Sequence, residues 1–332
     1  MNYPKISIVT PSFNQGQYIE QTIQSVIEQN YPNLEYIIID GGSTDNTVDI
    51  IKKYESHITY WVSEKDKGQT HAINKGFSKC TGDIFNWLNS DDYYEPGALK
   101  SVANAFSDDV VKVVCGKEIG FYDNGIEEVI HTSSVIKTTT EETIFTAIID
   151  QPCTFFKKKD IEDFYPLHTS LHYVMDKELW IRFLSKYGIS NIAQIEKILT
   201  RFRLHHSSKS VSEATGFETE FSILKAELLK RLEAPLWLIE DTRQNIPGGV
   251  TGFSFNTLDI INLNKATLLS MFAVEYATRQ YVKDNWPNAK KAMQYVKDIG
   301  RLNNTNWQQY FKTVVLPVPL LKTLKTVKSK IN

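Results

Sequence analysis

The sequence predicts an α/β protein with a mostly parallel central sheet, followed by a helical C-terminal extension. Three observations lead there. Short apolar, strand-forming runs alternate with segments whose apolar residues recur at helical spacing, which is the pattern of βαβ units. The runs KISIVT, LEYIIID and DIFNWL lead into the polar loops PSFN, DGGST and NSDD, so three loops fall on one edge of one sheet. The last loop brings two adjacent carboxylates, Asp91 and Asp92, to the end of an uninterrupted strand.

In order, Lys5 to Thr10 is a first buried strand and PSFNQG (Pro11 to Gly16) a turn-rich loop. Ile19, Ile23, Val26 and Ile27 share one face of a helix that Asn30-Tyr31-Pro32 stops. Leu34 to Asp40 is the second strand, and a short helix after DGGST runs to Tyr54. Ile58 to Ser63 is the third strand. Gly68 to Lys79 is a helix with Ala72, Ile73 and Phe77 inward, and Asp83 to Leu88 is the fourth strand. A helix spans Pro96 to Phe106. Val110 to Cys115 and Gly120 to Thr132 read as separate strands, the latter turning at Asn124-Gly125. Thr140 to Ile149 is helical, QPCTFF leads into a strand, and Leu179, Trp180, Phe183 and Leu184 form the apolar face of a helix with Asp176 near its amino end. Ile195 to His205 is a further strand. Glu213 to Leu232, Asn264 to Tyr281 and Asn288 to Ile299 are helices, with Pro247-Gly248-Gly249 in a loop.

Composition narrows the function. The 332 residues are 42% hydrophobic and 12% aromatic, enough for a large core, and the net charge of −2 supplies no basic field for nucleic acid. Cys80, Cys115 and Cys153 lie far apart without a CxxC, which suits a reducing compartment and argues against a zinc or disulfide framework. No run of about 18 apolar residues occurs, so no membrane span is expected, and the start of the chain leads straight into a strand, so no secretory signal is expected. The dinucleotide fingerprint GxGxxG and the phosphate loop GxxxxGK[ST] are both absent.

Chemistry concentrates in the loops. Adjacent carboxylates at a strand end are costly unless a cation or strong donors meet them, and Mg²⁺ or Mn²⁺ takes such oxygens together with substrate phosphates. The same residues also read as an Asp-rich turn capping the helix after Pro96. Gly41 and Gly42 let backbone N–H groups approach an anion, and Asp40 could accept a hydrogen bond from a base or ribose. DGGST reads equally as a plain βα turn capped by Ser43, Thr44 or Asp45. Asp176 is either a charge matched to the helix dipole or a general base. The segment HHSSKS, from His205 to Ser210, could close over phosphates.

Taken together, these stretches resemble the family 2 glycosyltransferases. The matching segments are ISIVTPSFNQGQYIEQTIQSVIEQNYPNLEYIIIDGGSTDNT, WVSEKDKGQTHAINKGFSKCTGD, WLNSDDYYEPGAL, QPCTFF, LHYVMDKELWIRF and RFRLHHSSKS, in order over residues 4 to 210. The resemblance implies the GT-A fold, a Rossmann-like nucleotide-diphospho-sugar transferase fold, and inverting sugar transfer from a nucleotide-sugar, a UDP-sugar by default. It implies a donor site made of Thr10, Pro11, Phe13 and Asn14, of Asp40, Gly41, Gly42 and Ser43, of Lys67, Gly68 and Asn74, and of Asn89, Ser90 and Asp91, with Asp40 taking the base. It implies a Mn²⁺ or Mg²⁺ site at Asp92, Asp91 and His205, with Asp92 the leading ligand, and Asp176 as the base that activates the acceptor. The family pattern has Asp where this chain has Asn89, which leaves the metal site one carboxylate fewer. The QxxRW motif of processive synthases is missing, so one sugar per event is expected.

The expected layout is a catalytic domain over 1–211, with a nucleotide-sugar half to 95 and an acceptor half over 96–211, and a helical extension over 212–332. Past Asp298 no acidic residue occurs, and Leu320, Leu321, Leu324, Val327 and Ile331 line one face of a helix otherwise covered by lysines. That basic amphipathic tail, 316–332, suits an anionic membrane surface, or equally a solvated tail or a helix docked on its own domain. The expected setting is cytoplasmic and peripheral to the inner face of the plasma membrane. The expected acceptor is a glycan or polyprenol-linked sugar of a bacterial capsule, O-antigen or exopolysaccharide. A sugar nucleotidyltransferase is disfavoured because PSFNQG has no basic residue; a non-catalytic nucleotide- or glycan-binding scaffold is the other alternative.

Overall fold

The structure is a computed structural model and describes residues 3–122, 131–206, 208–244, 246, 253–255, 257–303 and 306–315. By its contacts the chain divides into two compact units, Met1–Phe221 with Phe253–Asn262, and Ser222–Gly252 with Leu263–Asn332. The division falls inside a helix, ten residues beyond the boundary expected at 211, and the segment 253–262 returns to the first unit.

The first unit opens with four parallel strands, β1 (Ile6–Ser12), β2 (Leu34–Asp40), β3 (Tyr60–Ser63) and β4 (Ile84–Trp87), ordered β3-β2-β1-β4. They are joined by α1 (Ile19–Ile27), α2 (Thr47–Lys53) and α3 (Gln69–Phe77). Every residue of β1 and β4 is buried, as the unbroken apolar runs require of a sheet covered on both faces. Ile6, Ile8, Ile19, Ile23, Ile38, Leu88 and Leu99 pack into one core. β1 extends two residues past the expected end, and Pro11 stands opposite Ile39 inside it. β4 pairs with β1 only as far as Val9, so the missing N–H of Pro11 breaks no ladder bond there.

Next come β5 (Tyr93–Tyr94), α4 (Ala98–Ala105), β6 (Val113–Tyr122), β7 (His131–Ser133), α5 (Thr140–Thr146), β8 (Thr154–Lys157), α6 (Met175–Tyr187) and β9 (Ile192–Leu204). They continue the sheet in the order β4-β8-β6-β9-β5, with β7 along β6. Only β6 and β9 are parallel here; the β4–β8, β8–β6, β9–β5 and β6–β7 pairs are antiparallel. The parallel reading therefore holds for the first half of the sheet, and the second half is mixed. β6 is also one strand where two were expected. The break expected over residues 116–119 is absent, and the strand runs through it with register shifts beside Gly116. A Cβ there would lie 2.3 Å from Leu199 Cδ1, so the glycine lets β6 pass over a buried leucine of β9. The turn expected at Asn124-Gly125 lies outside the described residues.

After α7 (Lys209–Ser212), α8 (Ala214–Arg231) leads out of the first unit. The second unit holds α9 (Leu236–Arg243), α10 (Lys265–Val282), α11 (Trp286–Asp298), α12 (Trp307–Tyr310) and a π-helical turn at Phe311–Val315. Both long helices match the periodicity. Asn264 caps α10 by accepting from the Thr267 N–H at 3.0 Å, and α11 buries Trp286, Ala289, Ala292, Met293 and Val296. The tail, 316–332, lies outside the described residues.

The packing of α3 on β1 generates a prediction. Gly76 lies so close to β1 that a Cβ would sit 2.4 Å from Val9 Cγ1, and Val9 is wholly buried. Gly76→Ala should destabilise the protein by about 1–3 kcal/mol in denaturant unfolding, and Val9→Ala in the same chain should restore part of that loss. Additive effects of the two substitutions would contradict the close approach.

Candidate active site

The three loops meet at the C-terminal edge of the parallel strands. The first two are stitched together. The Asn14 N–H donates to Ser43 Oγ at 2.7 Å, the Thr44 N–H to Asn14 Oδ1 at 2.9 Å, and the Gly16 N–H to Asp45 Oδ2 at 2.9 Å. The Gly41 N–H reaches the Ser12 carbonyl at 2.8 Å. Gly42 has φ +84°, so the chain turns where only glycine is unstrained. Phe13 is 58% exposed at the tip of this ridge, with Pro11 and Thr10 buried in the strand below.

Asp40 is wholly buried at the end of β2 and its carboxylate is committed locally. It accepts from the Gly42 and Ser43 N–H groups at 3.1 and 2.9 Å and from the Ser43 and Ser63 hydroxyls at 2.5 Å each. It shapes the glycine turn. Gly68, with φ +102°, opens α3, and its N–H donates to Asp66 Oδ1 at 2.7 Å. Lys67 beside it is exposed. Asn74 is turned away from these loops: its side chain donates to the Leu167 carbonyl at 2.8 Å and accepts from the Leu167 N–H at 2.7 Å.

The acid pair splits into two environments. Asp92 is 1% exposed and its Oδ1 accepts from the Arg203 N–H at 3.0 Å. Burial pushes its carboxyl well above the ordinary carboxylate range, and the charges of Asp91 and Glu118 push it further. Glu118, buried on β6, is itself pushed up to about 8 by burial, with Asp150 adding to the effect. Asp91 is the outward member. Its Oδ2 lies 3.1 Å from His205 Nε2 at the end of β9, and the His205 ring rests on Tyr18. Arg203 donates from Nε to the Asp91 carbonyl at 3.0 Å and lies over the rings of Tyr18 and Phe121. The structure thus places Asp91, rather than Asp92, beside His205. Ser90 is buried between Asn89 and Asp91.

Asn89 explains itself through its neighbours. Its Nδ2 donates to Asp92 Oδ2 at 3.3 Å, and its Oδ1 accepts from Gln69 Nε2 at 2.8 Å. An aspartate here would lose that donor and set a third carboxylate against a buried one. Lys209 Nζ then donates to Gln69 Oε1 and to the His172 carbonyl, both at 3.1 Å. A single hydrogen-bond chain therefore links Asp92 to the loop in front of α6.

That loop carries Asp176 into the first turn of α6. The side chain is half-buried and accepts the Lys177 N–H at 2.8 Å. Burial raises its pKa, Lys177 opposes the rise, and Asp150 adds to it. Gln69 and Lys209 are site residues that sequence reasoning passed over. Their signals lay inside the KGQT and HHSSKS segments, without a spacing to single them out.

Among the described residues, no group of three or more His, Cys, Asp or Glu side chains is arranged to hold a metal by itself. Asp91 and His205 offer two donors on one side, which fits a cation that takes its remaining oxygens from a bound diphosphate. No helix among the described residues is long and apolar enough to cross a membrane.

Comparisons with known proteins place the chain among glycosyltransferases. Residues 7–165 match the sequence model of Glycosyl transferase family 2. An uncharacterised glycosyltransferase of Rickettsia typhi is 27% identical over 247 residues, covering 69% of this chain and 73% of that protein. TuaG of Bacillus subtilis, named for teichuronic acid biosynthesis, is 38% identical over 102 residues, which are 29% of this chain and 40% of that protein. Among solved structures, S. aureus TarS 1–349 in complex with UDP-GlcNAc aligns with a TM-score of 0.56 at 17% identity, over 93% of this chain and 90% of that one. The longer TarS structure aligns with the same TM-score of 0.56 over 97% of this chain and 53% of its own length, and these likenesses show the fold alone. The mixed sheet, the loops on its edge and the match of residues 7–165 to Glycosyl transferase family 2 together make this chain a glycosyltransferase with the GT-A fold.

Proposed function

We propose that this glycosyltransferase moves one sugar per event from a nucleotide-sugar, a UDP-sugar first among them, to a hydroxyl of a glycan or polyprenol-linked acceptor, with inversion. The observation that carries the reading is the chain Asp92–Asn89–Gln69–Lys209–His172, which ties the acid loop and the base-bearing loop into one site. The Asn14, Gly41, Gly42 and Ser43 ridge, with the exposed ring of Phe13, receives the nucleoside. Asp91 and His205 would hold Mn²⁺ or Mg²⁺, and Lys209 would add a cation nearby. The metal supplies neutralisation of the charge left on the diphosphate. Asp92, beneath, anchors the loop through Arg203.

Asp176 takes the proton of the acceptor hydroxyl as that oxygen attacks the anomeric carbon from the face opposite the diphosphate. One displacement inverts the centre and needs no enzymic nucleophile. The raised carboxyl of Asp176 suits a base better than an ordinary surface aspartate. UDP is favoured by the ligand of the TarS complex, and a surface or cell-wall polysaccharide by the name of TuaG. Contact with an anionic membrane through 316–332 belongs to the same reading.

Nucleotide binding is expected to raise the melting temperature only with Mn²⁺ or Mg²⁺ present, by an amount worth about 2.7 kcal/mol at a hundredfold excess over Kd. A panel of UDP, GDP, dTDP and CDP should single out one nucleotide. Chelation, Asp91→Ala or His205→Ala should abolish its shift. An unchanged shift after all three would remove the metal site.

Asp176→Asn should leave that shift intact and lower turnover by about 10²- to 10⁴-fold. Because the base works deprotonated and its pKa is raised, turnover should fall as pH drops, with a midpoint above the 3.8 of an ordinary aspartate. A rate flat down to pH 4 would exclude Asp176 as the base.

A further inference from the structure

We infer that Glu220 is a positioning residue that sets Asp176. This rests on the assignment of Asp176 as the base and extends it to a helix beyond the family match. The segment leading into α6 is His172-Tyr173-Val174. Its backbone N–H groups all point at one carboxylate. Glu220 accepts from the His172 N–H at 2.8 and 3.0 Å, from the Tyr173 N–H at 2.8 Å and from the Val174 N–H at 3.2 Å. Glu220 is 8% exposed and lies 48 positions away in the chain. Val174 is the residue that caps α6, and Asp176 follows two positions later. Three convergent amides meeting a full negative charge are stronger than neutral pairs. They fix the direction in which α6 starts, and so the direction of its first-turn side chains.

The first turn of α8, with Glu213 just before it, meets the same segment. Glu213, Gly216, Phe217 and Glu220 recur at spacings of three and four, so they share one helical face. The Tyr173 hydroxyl donates to Glu213, and its ring lies 5.1 Å from that of Phe217. A Cβ on Gly216 would lie 2.6 Å from the Tyr173 ring, so that glycine admits it. From the other side, α3 holds the preceding residues. Thr70 Oγ1 donates to the Leu171 carbonyl at 2.6 Å, and Asn74 makes its paired bonds with Leu167. Glu220 is the charged centre of a clamp that closes on 167–174 from two helices. A displacement of about 1 Å at a reacting group can cost about 100-fold in rate.

The test uses the full chain and water as acceptor. UDP-GlcNAc, UDP-glucose, GDP-mannose and dTDP-glucose are screened for Mn²⁺-dependent thermal shifts, and release of the nucleoside diphosphate is then followed with the best of them. Glu220→Gln keeps the shape, removes the charge and turns an N–H₂ group towards donors. It is expected to lower kcat about 100-fold while the Mn²⁺-dependent shift and the donor KM stay as in the wild type. Gly216→Ala, which pushes on Tyr173 without touching charge, should lower kcat in the same direction. Combined with Asp176→Asn, Glu220→Gln should cost nothing further, because its effect passes through the base. Unchanged kcat in Glu220→Gln, a lost nucleotide shift, or a full further loss on top of Asp176→Asn would each overturn the positioning role. Full release by Asp176→Asn would overturn the base assignment and this inference with it.

Discussion

Asp92 is a carboxylate almost sealed from solvent, and the site is assembled from the groups that make this burial tolerable. An ionised carboxylate in such a place costs several kcal/mol unless donors or a cation offset it. The Arg203 amide and the Asn89 side chain supply the donors. Arg203 and His205 arrive together because β9 is long enough to carry both past the end of β4, and its pairing with β5 brings it against the acid loop. Once β9 is there, His205 meets Asp91, and the pair can face a cation.

This constraint also accounts for Asn89. An amide in that position is at once a donor to Asp92 and an acceptor for Gln69. It carries the polar network from the acid loop to Lys209 and on to the loop of Asp176. Lys209 is held in a partly desolvated place, and burial lowers its pKa while Glu213, Glu220 and Asp91 raise it. The charges of all three acids therefore act on one lysine, which lies between the acid loop and the loop in front of α6.

The first half of the fold was legible because each element carries its own signal. β1, β2 and β4 are unbroken apolar runs, and α1 and α3 repeat their apolar residues at helical spacing. The second half was less legible. Gly116 looks like a break in a strand, and only the proximity of Leu199, far along the chain, shows why a glycine sits within β6. Likewise Asp40 and Asn74 are polar residues at suggestive places. Their hydrogen-bond partners, Ser63 in one case and Leu167 in the other, come from other segments and are visible only in the folded chain.

The sequence alone determined the order of strands and helices at the start of the chain, the three loops on one edge and the acids they carry. These are local matters of periodicity, turn residues and spacing. Tertiary structure alone decided which of two adjacent aspartates faces His205 and which is buried. That choice turns on the Arg203 amide, 111 positions away. It also decided that Glu220, one of three glutamates on α8, gathers three amides ahead of Asp176. A backbone donor has no side-chain signature, so no pattern of residues can announce where a carboxylate will find one.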